Sequence, residues 1–151
     1  GAAMTLSWTD KKMLSQTRMV KAREFLEDAK GNFREGRVKT SINRSYYALL
    51  AAARSILILH GANTETHEGA VTMLCLKFVK TELLPIETVK TFKLLFSRRI
   101  DADYGDFDSA DAADAEEAIH LASEAVEEIE RLRTTLLQRD DLYINATEDK
   151  I

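Results

Sequence analysis

Cysteine, proline and glycine are all scarce here. The chain has one cysteine, one proline and six glycines in 151 residues. A lone cysteine, Cys75, excludes an internal disulfide, and its setting in "VTMLCLKF" reads as a small core position. With so few breakers, long helices are the expected structure, because Ala, Leu, Glu, Lys and Arg dominate what remains. Long apolar runs are also missing. "ALLAAA" and "ILIL" are far too short to cross a bilayer, so no membrane role is expected and a cytoplasmic setting fits. The opening "GAAMTLS" lacks the basic start and apolar core of a secretory signal. Residues 1–7 read as an expression remnant or a disordered start.

Several chemistries are absent as motifs. There is no glycine-rich phosphate loop, no Cys/His zinc spacing and no Gly-x-Ser-x-Gly elbow. The three histidines, at positions 60, 67 and 120, are too scattered to imply a metal site. No metal and no cofactor is expected. Glu116 and His120 stand one helical turn apart and read as a surface pair.

The charge that is present is uneven. The formal net charge is −4, yet residues 1–100 carry 17 Lys and Arg against 9 Asp and Glu, and residues 101–151 carry 4 against 16. Either a basic face survives on an acidic protein, or the last helix packs on the others and the halves cancel.

Apolar periodicity predicts five helical segments, at about Trp8–Glu35, Val38–Leu59, His67–Lys80, Ile86–Ile100 and Ala110–Arg139. Ser7 or Thr9 can cap the first, and Gly36 and Gly61 can stop the first and second. "DADYGDFDSAD" reads as an acidic loop and residues 140–151 as a polar, frayed tail. Short connections between long helices predict an all-α up-and-down bundle, with one domain over residues 8–139.

The second segment is apolar on most of its circumference, as a central helix would be. Yet at 100° per residue, Asn43, Tyr47 and Arg54 fall within about 20° of one line. A buried arginine needs a counter-charge or an anion. Arg54 either pairs with an acid, such as one in "RRIDADYGD", or faces a phosphate, which its planar fork suits. His60 lies about 120° further round the helix.

Four segments in order resemble a known family. "SINRSYYALLAAARSIL" resembles the Asn-Arg-x-Tyr-Tyr-Ala signature of the HEPN (higher eukaryotes and prokaryotes nucleotide-binding) domain. "THEG" resembles the Thr-His-x-Gly segment that follows it. "FVKTELLP" and "RRIDADYGDF" resemble the two later segments, the last being an Arg-x-x-Ala-Asp-Tyr block. Together they cover about residues 10–135.

The resemblance implies a bundle of four or five helices, usually a homodimer, and often a nucleotidyltransferase-type antitoxin as partner. Many HEPN proteins are metal-independent ribonucleases whose motif is arginine, a short spacer and histidine. Arg54 and His60, with five residues between them, fit that motif. In dimeric members two motifs share one cleft. Histidine would take the ribose 2′-hydroxyl proton and arginine would stabilise the charge on phosphorus.

There are departures. Ser55 follows Arg54, where the best-defined toxins carry Asn, Asp or His. Ala62 stands where those toxins often carry a tyrosine that the partner adenylylates. Members of the branch with the Tyr-Tyr-Ala block often lack a histidine at the position of His60. A second reading is therefore a non-catalytic module that binds a nucleotide or supports a nucleotidyltransferase. In that reading Asn43, Tyr47, Arg54, His67, Arg98 and Tyr104 line a nucleotide or phosphate pocket. A third is a helical dimerisation domain in which the same polar residues knit the bundle. His67 has three readings of its own: it caps the third helix, it bonds to "DADY", or it works in a site. Arg98 and Arg99 read as phosphate binders or as salt-bridge partners of the acidic loop.

Overall fold

A computed structural model describes residues 6–105 and 110–148, with side chains as far as residue 139. Five α-helices form an all-α bundle: α1 (Trp8–Arg34), α2 (Val38–Leu57), α3 (His67–Leu74), α4 (Ile86–Tyr104) and α5 (Ala112–Glu148). The central position expected for the second helix is where α2 lies, in contact with each of the other four.

Small residues explain that position. Along α2, Ser41, Ser45, Ala48, Ala52, Ala53 and Ser55 are fully buried, so neighbouring backbones come close. Their hydroxyls stay satisfied by nearby carbonyls: Ser41 donates to Ala29 at 2.8 Å, Ser45 to Ser41 at 2.9 Å and Ser55 to Ala52 at 2.6 Å. Ile42, Leu49, Ile56 and Leu57 fill the space between helices, with Met19, Phe78, Phe92, Leu95 and Ile129 packed around them. Truncating Phe78 or Phe92 to alanine would cost about 3–5 kcal/mol.

Ordinary capping and turn chemistry shape several of the helix ends. Ser7 Oγ accepts from the Asp10 amide at 3.1 Å and starts α1. Past Leu57 the chain tightens into a 3-10 turn, Ile58–His60, which ends where Gly61 takes the left-handed φ of 77°. Past Leu74, α3 widens into a π turn, Cys75–Val79, and Cys75 there is half-buried against the core.

Two boundaries differ from the sequence-based expectation. α4 continues four residues past Ile100 to Tyr104, so "DADY" is helical. Arg99 and Asp103, paired at i and i+4, explain this. α5 continues to Glu148, into the stretch expected as a tail. The acidic α5 meets basic residues of the first half: Glu130 pairs with Arg23, and Glu117 and Asp114 with Arg98. His120 pairs with Glu124 at 3.2 Å rather than with Glu116.

Candidate functional site

The candidate residues fall into two groups, both built on α2. The first gathers around Arg99 of α4. Its Nη2 donates to the Tyr47 hydroxyl at 2.9 Å, and its Nε lies 3.2 Å from Asp103 Oδ2. That pair is close but not aligned as a hydrogen bond, because Nε is buried without an acceptor. The guanidinium also lies over the rings of Tyr46, Tyr47 and Tyr104, at 5.6, 5.3 and 5.9 Å. Asn43 donates to Asp103 Oδ2 at 3.0 Å.

His67 joins this group from α3. Its Nδ1 lies 3.0 Å from the Tyr46 hydroxyl, and its ring stacks on Phe96 with centroids 3.8 Å apart. Burial holds the imidazole below its ordinary pKa, helped by the positive charges of Lys93 and Arg99 and opposed by Glu68. Burial also pushes the Tyr46 phenol up to about 12, against the pull of Arg99. Of the three readings of His67, neither the cap nor the bond to "DADY" is what forms. Thr66 is the cap, accepting from the Gly69 amide at 3.0 Å. Gly69 is a close approach: a Cβ there would lie 2.8 Å from Thr66 Oγ1.

The Asn43–Tyr47–Arg54 stripe therefore splits. Asn43 and Tyr47 turn to Asp103 and Arg99. Arg54, about 10 Å further along the axis, forms the second group. It is half-buried, its Nη2 lies 3.5 Å from Asn63 Oδ1, and its Nε is buried with no acceptor. Asp101 and Asp103, the described acids of "RRIDADYGD", form no ion pair with it, and Asp106 lies outside the described residues. Among the described residues, the ion pairs formed leave Arg54 out. His60 sits exposed at the end of the 3-10 turn, its ring against buried Phe78 at 4.9 Å.

Two other residues are placed apart from either group or at its edge. Arg98 faces α5, with Nη2 2.8 Å from Glu117 Oε1 and Nη1 3.6 Å from Asp114 Oδ1. It does not share the site of its neighbour. Tyr104 is 70% exposed at the rim of the first group. The residue that sequence reasoning underweighted is Arg99. Its signal was present, since Arg99 heads the Arg-x-x-Ala-Asp-Tyr block and places Asp103 one turn on. Among the described residues, no three His, Cys, Asp or Glu side chains are grouped to hold a metal ion, and no helix is long and apolar enough to cross a membrane.

The family model of the HEPN domain matches residues 15–132. The chain belongs to the HEPN domain family. Named relatives are similar over part of their length. A "UPF0332 protein" of Thermotoga maritima is 34% identical over 86 residues, 57% of this chain and 65% of the relative. One of Archaeoglobus fulgidus is 29% identical, over 60% of this chain and 71% of the relative. A Methanocaldococcus jannaschii protein named "Putative toxin" is 25% identical, over 56% of this chain and 57% of the relative. The HEPN domain described here thus spans just under two-thirds of the Thermotoga relative and less of the Methanocaldococcus one.

Proposed function

We propose that this HEPN domain is a toxin-type, metal-independent endoribonuclease in which Arg54 holds the scissile phosphate and His60 moves the proton. One observation carries the reading. Arg54 is a half-buried guanidinium with a buried, unsatisfied Nε and no carboxylate partner among the described residues, on the helix whose continuation presents His60. A buried cation of this kind favours an anion, and a planar fork favours phosphate.

The chemistry needs little else. His60 takes the proton from a ribose 2′-hydroxyl as that oxygen attacks phosphorus. Arg54 stabilises the negative charge on the phosphorane oxygens. The bond from phosphorus to the 5′ oxygen breaks, and that oxygen leaves with a proton from water or from a second imidazole. The products are a 2′,3′-cyclic phosphate and a 5′-hydroxyl. A homodimer that brings two motifs into one cleft would supply the second imidazole. A nucleotidyltransferase-type antitoxin would be its partner, acting by some route other than a tyrosine at Ala62.

The pocket reading is less supported. Asn43 and Tyr47 are engaged with Asp103 and Arg99, His67 Nδ1 with Tyr46, and Arg98 with α5.

The test is incubation of purified protein with RNA in EDTA. Wild type is expected to cleave, and His60→Ala and Arg54→Ala to lose cleavage while keeping wild-type circular dichroism. Intact RNA after incubation with wild type, with EDTA and with magnesium, would sink the enzyme reading.

A further inference from the structure

Arg54 shares its surroundings with a second arginine. Arg18, on α1, donates from Nη2 to Asn63 Oδ1 at 2.9 Å and from Nη1 to the Arg54 carbonyl at 3.4 Å. Arg54 Nη2 approaches the same Asn63 oxygen at 3.5 Å. Two guanidiniums from different helices thus converge on one neutral amide oxygen.

This is an unusual way to satisfy two cations. Among the described residues neither is in an ion pair. Burial holds the Arg18 guanidinium below its ordinary pKa, and the charge of Arg54 adds to that. Their donors outnumber their acceptors, since Arg54 Nε is buried with none. A pair of arginines joined only to fasten a loop would be better served by a carboxylate at position 63. A neutral acceptor leaves the pair's charge uncompensated, and so available to an oxyanion. The platform is rigid, because Ser15, Met19 and Ala22 on the same helix are fully buried. Nothing in the sequence motif marks Arg18, which lies 36 residues from Arg54.

We propose that Arg18 is a second phosphate-binding residue, gripping one phosphodiester of single-stranded RNA together with Arg54, with a phosphate oxygen taking the place of Asn63 Oδ1. The proposal rests on the reading of Arg54 as a phosphate contact, and it adds a residue from α1 and a role for Asn63. Each guanidinium can present two parallel N–H groups to a phosphate.

The experiment uses a 2′-O-methyl oligoribonucleotide, which binds but lacks the attacking hydroxyl. Affinity is measured by fluorescence polarisation across salt concentrations, beside thermal melting. Arg18→Ala is expected to weaken binding by about tenfold or more and to reduce the salt slope by about 0.7, with little change in melting. Arg18→Lys keeps the charge but loses the fork, so affinity falls and the slope stays. Asn63→Asp installs a carboxylate between the arginines. It is expected to raise the melting temperature and to weaken RNA binding by a similar factor.

If Asn63→Asp raises the melting temperature while RNA binds as before, the pair is a loop fastening and the proposal fails. It fails too if Arg18→Ala lowers melting but leaves affinity and slope at wild-type values. Should Arg18→Ala not fold, Asn63→Asp decides alone. Because the probe cannot be cleaved, a protein with no nuclease activity can still pass this test. A nuclease indifferent to Arg18 and Asn63 fails it while the enzyme reading stands.

Discussion

The hydroxyl of Tyr46 and Nδ1 of His67 lie 3.0 Å apart, joining the central helix to the first turn of α3. With the phenol held protonated up to about 12, we assign it as donor and the histidine as a neutral acceptor. Protonating His67 removes that acceptor and puts a cation near Lys93 and Arg99.

The consequence is a pH dependence of stability with a definite sign. The folded pKa of His67 lies below the ordinary 6.5, so between those values the unfolded chain binds more protons. The contribution is whole above 6.5 and is lost as pH falls through the folded pKa. Melting temperature is expected to drop on that acidic side. His67→Phe, which keeps the contact with Phe96, should flatten the drop relative to wild type. Parallel curves for the two proteins would show that His67 is not the titrating group.

Tyr46 gives a second dependence at the other end. Its folded pKa of about 12 stands above the ordinary 10.0, so its contribution is whole below 10.0 and is lost as pH rises towards 12. Tyr46→Phe should remove this alkaline loss and cost about 1–2 kcal/mol at neutral pH, because Nδ1 of His67 loses its donor. Absorbance titration should show a phenol ionising at about 12 in wild type that is missing in Tyr46→Phe. Wild-type and Tyr46→Phe curves that coincide at high pH would contradict the burial argument.

Much of this was legible before the structure. Apolar spacing located five helices, because the core selects one face of each. Arg54 was conspicuous as a cation in an apolar run. What could not be read was which partner each polar group takes, because partners come from other helices. Arg18 reaches Arg54 across 36 positions and Arg99 reaches Tyr47 across 52. Arg98 and Arg99 are adjacent in sequence, yet about 100° apart on a helix, so one turns to α5 and the other to α2. Periodicity cannot decide between them without knowing where α4 packs. The run "DADY" was expected to be a loop for its acidity, but Asp103 sits where Arg99 and Asn43 hold it.

Arg99 should therefore tolerate no substitution well. Arg99→Lys keeps the charge but loses the planar fork and the contact with three tyrosine rings. The loss is expected to be about 2 kcal/mol, the scale of a charge-assisted hydrogen bond with its cation–π contacts. Arg98→Lys, at an exposed pair with α5, should cost under about 1 kcal/mol. Urea unfolding of both variants checks the contrast, and equal losses would remove Arg99 from the centre of the network.

The start of α3 offers a test in which two effects oppose each other. Thr66→Ala removes the cap on the Gly69 amide and should cost about 1 kcal/mol. Gly69→Ala adds helix propensity worth up to about 1 kcal/mol. However, its Cβ would lie 2.8 Å from Thr66 Oγ1, so the cap must shift and the gain is offset. Once Thr66 is alanine, that close contact is gone, although Thr64 Cβ and Cγ2 remain at 3.4 Å. Gly69→Ala should therefore be near neutral or destabilising in wild type and more favourable in the Thr66→Ala background. The double mutant should lose less stability than the two single losses added together. Strict additivity in urea unfolding would mean that the glycine is there for some reason other than the cap.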